Sequence, residues 1–119
     1  MPILLKRAYE KPKAEDGKRI LVERLWPRGL KKEDAKIDEW LKDVAPSTKL
    51  RKWYSHDPAK WAKFKERYWV ELEDKKALLS KLATESSKRN ITFLFGSKEE
   101  KLNSATALKE LIEAKYKVL

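Results

Sequence analysis

The chain has 119 residues, a formal net charge of +10, 41% hydrophobic and 40% charged residues, and no cysteine. That length suits one domain, spanning 1–119, able to bury a core without staples, and the missing cysteines exclude disulfide scaffolds, thiolate metal sites and thiolate nucleophiles. Five Trp, four Tyr and three Phe argue against the disorder that such a charge load suggests.

Residues 3–9 read as a short strand. The apolar run at the start is too short for a signal peptide. No stretch reaches the roughly 18 apolar residues of a membrane span, so a cytoplasmic location away from membranes is expected. Residues 10–18 hold Pro12, Asp16 and Gly17 and predict a loop or one helical turn. Residues 19–25 form a better strand, centred on Ile20-Leu21-Val22, as expected for a strand covered on both faces. Trp26-Pro27-Arg28-Gly29 ends it, since Pro27 lacks a ladder N–H and Gly29 permits a positive φ.

Ile37, Trp40, Leu41 and Val44 recur at helical spacing, which predicts an amphipathic helix over 32–44. Pro46 stops it. Ser47 is a candidate N-cap for a short helix reaching about Tyr54. His56-Asp57-Pro58 signals a restart, with Asp57 as cap and Pro58 at the first helical position. The next helix carries Trp61, Phe64, Tyr68 and Leu72 on one stripe. Asp74 is a candidate cap for another helix through Leu78, Leu79, Leu82 and Ala83, although one long helix also fits. Ile91-Thr92-Phe93-Leu94-Phe95 is the clearest strand in the chain, and Gly96-Ser97-Lys98 turns it into a last helix over about 102–115. Residues 116–119 predict a short final strand. Strands separated by helical segments imply an α/β sheet with helices packed on its faces. The short link between the first two strands fits either a hairpin or a minimal parallel crossover.

Four groups of residues carry candidate chemistry. The first is Glu23, Arg24 and Arg28 at the end of the second strand, where open α/β sheets bind ligands. Two guanidinium forks beside a Pro/Gly turn suit a phosphate or carboxylate; an internal ion pair with Glu23 is the structural alternative. The second is the Gly96-Ser97-Lys98 turn, which can aim backbone N–H groups and the Ser97 and Lys98 side chains at an anion, or can be an ordinary strand-to-helix turn. It lacks P-loop spacing. The third is the lone His56, either an acid–base group or a residue bonding a helix end. With one His and no Cys, a metal site with Asp16 and Glu23 has no supporting spacing, so neither metal nor cofactor is expected. The fourth is the aromatic set. Trp40, Trp61, Phe64 and Tyr68 lie on apolar stripes, whereas Trp53 and Trp69 are the ones to check for exposure.

Several of these residues carry a family resemblance. Asp16-Gly17, Leu21-Val22-Glu23-Arg24-Leu25-Trp26-Pro27-Arg28-Gly29, Asp38-Glu39-Trp40-Leu41-Lys42, Ala45-Pro46-Ser47-Thr48, Leu50-Arg51-Lys52-Trp53 and His56-Asp57-Pro58 resemble the YeaO-like proteins, a branch of the bacterial DUF488 family of unknown function. The resemblance spans nearly the whole chain. It implies a compact α/β fold with a small, mainly parallel sheet of three or four strands and about five helices, rhodanese-like in layout, and so favours the minimal crossover. It supplies no activity. Longer relatives often carry a Cys-Ala-Glu-like turn and a downstream Cys-His-Arg; Phe95-Gly96-Ser97-Lys98 and Lys101-Leu102-Asn103-Ser104 fall near those positions without a cysteine. Glu23 stands where the family more often shows Asp.

Three readings follow. The leading one is a site for a small anionic or phosphorylated ligand built by Arg24, Arg28, Ser97 and Lys98, with Arg7, Arg51 and His56 as further candidates; if it is enzymatic, Glu23 or His56 is the acid–base group. The second is a nucleic-acid-binding module driven by net positive charge, without any RRM, KH, zinc-finger or helix-turn-helix signature. The third is a non-catalytic interaction protein whose arginines are purely structural. Enzyme and binding protein both fit these residues, and the oligomeric state is open.

Overall fold

A strand apolar at nearly every position is stable only where both of its faces are covered. In the computed structural model, which describes residues 3–116, the run Ile91–Phe95 (β4) is buried along its whole length inside a four-stranded sheet. Its neighbours are β1 (Leu4–Arg7) and β2 (Lys18–Leu21), and β3 (Glu39–Trp40) forms the edge beyond β2. Every pair is parallel. Five helices complete the expected α/β architecture: α1 (Lys32–Ala35), α2 (Thr48–Tyr54), α3 (Trp61–Glu71), α4 (Lys76–Lys88) and α5 (Ser104–Lys115).

Strand alternation divides the core between the two sheet faces. Ile20, Val22, Ile91, Phe93 and Phe95 join the larger cluster with Leu50, Tyr54, Phe64, Tyr68, Leu79, Leu82 and Leu108 from α2 to α5. Leu21 and Leu94 point the other way, where Ala8, Trp26, Leu30, Ile37 and Trp40 cover them. Between α2 and α3 an aromatic column ties the helices together, with Tyr54 stacked on Phe64 at 4.3 Å and Phe64 lying 5.8 Å from Tyr68. The buried Tyr68 hydroxyl donates to the Val44 carbonyl.

β1 and β2 flank β4, so the link between them is a crossover and not a hairpin. It is the minimal kind, holding a single 3-10 turn at Ala14–Asp16. Asp16 closes that turn. Its buried carboxylate accepts from Lys6 Nζ, Arg19 Nη1 at 2.7 Å and the Lys13 N–H, and its carbonyl accepts from Thr92 Oγ1. Gly17 follows with φ +63, and a Cβ there would meet the Asn90 carbonyl oxygen at 2.0 Å. Only glycine lets the chain pass so close to the strand it is about to join.

The helix expected over 32–44 does not form. α1 ends at Ala35, Lys36 turns left-handed with φ 46, and the chain then runs beside β2 as β3. The apolar spacing is the same, but its residues serve two faces: Ile37 and Trp40 cover one, Leu41 and Val44 the other. Arg19 fixes this path, because its N–H bonds the Asp38 carboxylate, its carbonyl takes the Asp38 N–H, and its Nε reaches the Ala35 carbonyl. The fourth strand is therefore β3. Of the strand expected at 116–119, Tyr116 caps the end of α5 with its N–H on the Ile112 carbonyl, and residues 117–119 lie outside the described residues. α3 and α4 are separate helices, and Asp74 lies in the 3-10 turn between them without capping α4. Ser47 and Asp57 cap as expected, onto Leu50 N and Ala59 N. No helix among the described residues is long and apolar enough to cross a membrane.

Asp16 carries the first prediction. Burial alone would raise its pKa, but the Lys13 N–H and the Lys6 and Arg19 cations hold it below its ordinary 3.8. A depressed carboxylate stabilises the fold above its unfolded value and loses that contribution as pH falls through the folded one. Asp16→Asn leaves Arg19, 3% exposed, without its counter-charge, and should cost about 3–5 kcal/mol at pH 7. Urea denaturation followed by circular dichroism measures this; a loss under about 1 kcal/mol would mean that solvent replaces the partner.

Candidate functional site

The parallel sheet sends the ends of β2 and β4 to the same edge. Beyond them lies a cavity of about 580 Å³, lined by the segment after β2, the turn after β4, one side of α2 and the start of α5. It brings together Glu23, Arg28, Arg51, His56 and Ser97 among the residues singled out from sequence. Arg7, Arg24 and Lys98 do not line it.

Arg28, Arg51 and His56 are each held by local structure. Leu30 N–H bonds the Pro27 carbonyl, making a turn whose third residue, Gly29, has φ +77, as a type II turn requires. Tyr9 Oη donates to the Arg28 carbonyl and Trp26 Nε1 to the Leu30 carbonyl, which fixes the turn while leaving the Arg28 side chain exposed at its tip. Arg51 lies on α2, whose first turn is closed by Ser47 and whose end is fixed by the Tyr54 hydroxyl on the Leu102 carbonyl. Ser55 and His56 then take left-handed conformations in succession, with φ of 46 and 56. Two non-glycine residues in that region are uncommon; here they turn the chain so that both line the cavity.

The arginines left out of the cavity build its walls. Arg7 Nε and Nη2 donate to the Ser97 and Gly96 carbonyls, bracing the turn after β4. Arg24 Nη2 and Nε donate to the Ala45 and Pro46 carbonyls, holding the segment that leads into α2. Neither engagement could be read from sequence, because a backbone carbonyl leaves no residue-type signal. Lys98 is exposed outside the cavity.

The turn after β4 is also less open than expected. Gly96 N–H donates to Glu23 Oε1 at 3.3 Å, and Ser97 Oγ accepts from Glu99 N. The Glu99 carboxylate takes the Lys101 and Leu102 N–H groups, which lowers its pKa. Asn103 Oδ1 caps α5 through Thr106 N. The loop's own carboxylates and amides thus consume several donors that were candidates for an anion. The first turn of α5 nonetheless borders the cavity through Asn103 and Ser104, bringing the positive end of a helix dipole there. Lys52, Tyr9 and Thr48 also line it. Lys52 follows Arg51 on α2, and Tyr9 follows the end of β1, so the strand-end rule could have found the latter.

Among the described residues, no carboxylate lies within ion-pair distance of Arg28, Arg51 or Lys52, whereas Lys6, Lys18 and Arg19 are all paired. Asp16, considered with Glu23 and His56 for a metal, is occupied by Lys6 and Arg19 at the opposite end of β2. Trp53 is half-buried with Arg67 4.2 Å from its ring centre, and Trp69, also half-buried, donates Nε1 to the Ala107 carbonyl.

Burial pushes the Glu23 pKa up, against the lowering effects of the Gly96 N–H and the charges of Arg51 and His56. A folded-state pKa above the unfolded one means that the native state binds the proton more tightly, so stability falls as pH rises through that window. Glu23→Gln, which keeps an acceptor for Gly96, should therefore be at least as stable as the native chain at pH 7, with its advantage vanishing below about pH 4. Thermal melts across pH test this; a variant less stable at pH 7 would show that the ionised carboxylate stabilises the fold.

The comparisons with known proteins agree with one another. A family model described as "Inactive DUF488-N3 subclade" matches residues 2–118. The chain is 40% identical over 114 residues to the uncharacterised protein YeaO of Escherichia coli (strain K12), covering 96% of this chain and 99% of that one. It is 49% identical over 72 residues to uncharacterised proteins of Mycobacterium bovis and Mycobacterium tuberculosis (strain H37Rv), covering 60% of this chain and 61% of each of theirs. No solved structure matches the chain.

Proposed function

The chain belongs to the DUF488 family, in the subclade described as inactive, and from that premise we propose that it binds, without turning over, a small anionic or phosphorylated ligand at the C-terminal ends of the sheet strands. The division of the cations carries this reading. Arg7, Arg19 and Arg24 are engaged inside the fold, while Arg28, Arg51 and Lys52 line one cavity with no carboxylate partner among the described residues. Unpaired guanidinium groups held on a rigid turn and a capped helix are suited to phosphate oxygens, since each brings a planar fork of donors. The positive end of α5 adds to the same field. In this reading Ser97 and His56 contact the ligand as neighbours of the cations, and Glu23 touches it without acting on it as base.

A binding role fits the chemistry of the lining. There is no cysteine in the chain, hence no thiolate. Ser97 Oγ is tied to the Glu99 backbone and has no base beside it in the bonding pattern, so it is a poor nucleophile.

Calorimetry with inorganic phosphate, pyrophosphate and ribose 5-phosphate tests the proposal. At least one should bind the native chain. Because a hydrogen bond to a charged group is worth about 1.5–3 kcal/mol, Arg28→Ala and Arg51→Ala should each weaken that binding about tenfold or more, while Lys98→Ala leaves it unchanged. Unaltered affinity in both arginine variants, or no binding of any probe, would remove the reading.

A further inference from the structure

We infer that Glu23 sets the specificity of this cavity, and that it selects a phosphomonoester bearing hydroxyl donors, of the sugar-phosphate class, over a bare inorganic anion. The inference rests on the anion-binding reading above and adds to it the identity of the rest of the ligand.

Three observations lead there. First, Glu23 is the one carboxylate among the described residues lining a cavity that also holds Arg28, Arg51 and Lys52. Glu23 has one protein donor among the described residues, the Gly96 N–H on Oε1, and no ion pair with Arg28, Arg51 or Lys52 despite sharing their cavity. Oε2 is left for a partner from outside the chain. Secondly, burial raises the Glu23 pKa, while the Gly96 N–H and the charges of Arg51 and His56 favour its ionised form. The groups facing it are Arg51 from α2, His56 after that helix and the Gly96 amide after β4, with Tyr68 of α3 and Arg24 close enough to share its field. The two arginines differ in kind, because Arg24 is already spent on the Ala45 and Pro46 carbonyls. Thirdly, the cavity is much larger than one tetrahedral anion. About 580 Å³ lies inside the roughly 300–1,000 Å³ range of small-molecule sites, and Leu25, Trp26, Pro27 and Pro46 give part of its wall an apolar face suited to a carbon skeleton.

Magnitudes decide what Glu23 does to an incoming anion. Two like unit charges about 6 Å apart, at an effective dielectric near 20, repel enough to weaken binding about a hundredfold. A sulfate ion gripped by Arg28 and Arg51 carries no proton at pH 7 and meets that repulsion with nothing in return. A phosphomonoester that also places a hydroxyl on Oε2 makes a charge-assisted hydrogen bond, worth roughly tenfold to a hundredfold in affinity. The same carboxylate therefore rejects one ligand and rewards the other, which is how a site discriminates between partners sharing one group.

Calorimetric titration of ribose 5-phosphate and sulfate at pH 7, on the native chain and on Glu23→Gln, tests this. The native chain should prefer ribose 5-phosphate by tenfold or more. Glu23→Gln should bind sulfate severalfold more tightly than the native chain and narrow the preference to threefold or less. Glu23→Ala, which removes both charge and acceptor, should narrow it likewise and serves as a second variant if the amide misfolds; thermal melts report folding in each case. Equal affinities for the two probes in the native chain, or a preference that survives both substitutions, would overturn the role of Glu23 while leaving the arginine-dependent anion site intact. Absence of ribose 5-phosphate binding would defeat the role of Glu23, and absence of binding by every probe, inorganic phosphate and pyrophosphate included, would defeat both readings.

Discussion

The parallel pairing of β2 with β4 is the constraint on which the rest of the molecule depends. Its register runs from Lys18 opposite Ile91 to Leu21 opposite Leu94, and the Val22 N–H extends it to the Leu94 carbonyl. Because both strands point the same way, the segments that follow them emerge side by side, although Glu23 and Gly96 are 73 residues apart. An antiparallel pair would have sent them to opposite ends of the sheet. The start of the pairing is equally fixed: Gly17 passes against Asn90 where no side chain fits, and Asp16 binds the cations of β1 and β2 at once.

Arginine does two kinds of work in this fold, and the first makes the second possible. A guanidinium has five donors and no acceptor, so it can stitch together segments that offer only carbonyls. Arg19 does this between Ala35 and the Asp16 turn, Arg24 with the approach to α2, and Arg7 with the turn after β4. Those stitches set the walls between which Arg28 and Arg51 stand. The aromatic column of Tyr54, Phe64 and Tyr68 supports α2 from below, so the position of Arg51 is a consequence of core packing as much as of helix capping. Net charge alone would not have distinguished these roles.

Much of this was legible in the residues, and the exceptions have definite causes. β4 was readable because a strand buried on both faces is apolar throughout. Ser47 and Asp57 were readable because capping is local chemistry between neighbours. The helix expected over 32–44 failed because Ile37, Trp40, Leu41 and Val44 can be spaced for one helical stripe and still serve two faces of a sheet; the deciding bonds, from Arg19 to Asp38 and Ala35, are tertiary. Glu23, Arg28 and Ser97 share the cavity because they follow the parallel ends of β2 and β4, and Arg51 and His56 join them from α2 and the turn after it. Arg7 and Arg24 stand at the same strand ends, yet their donors are taken by main-chain carbonyls that no pattern of residue types advertises.

An anion held in this cavity should leave a signature on specific backbone and guanidinium nitrogens. A ¹H–¹⁵N correlation spectrum of the chain, recorded during titration with ribose 5-phosphate, reads them directly. Shifts concentrated on Arg28, Arg51, Gly96, Ser97 and Ser104, with the lysines of α4 unmoved, are expected. Shifts spread over the exposed lysines of the surface, or centred away from the ends of β2 and β4, would contradict a site built by those strands.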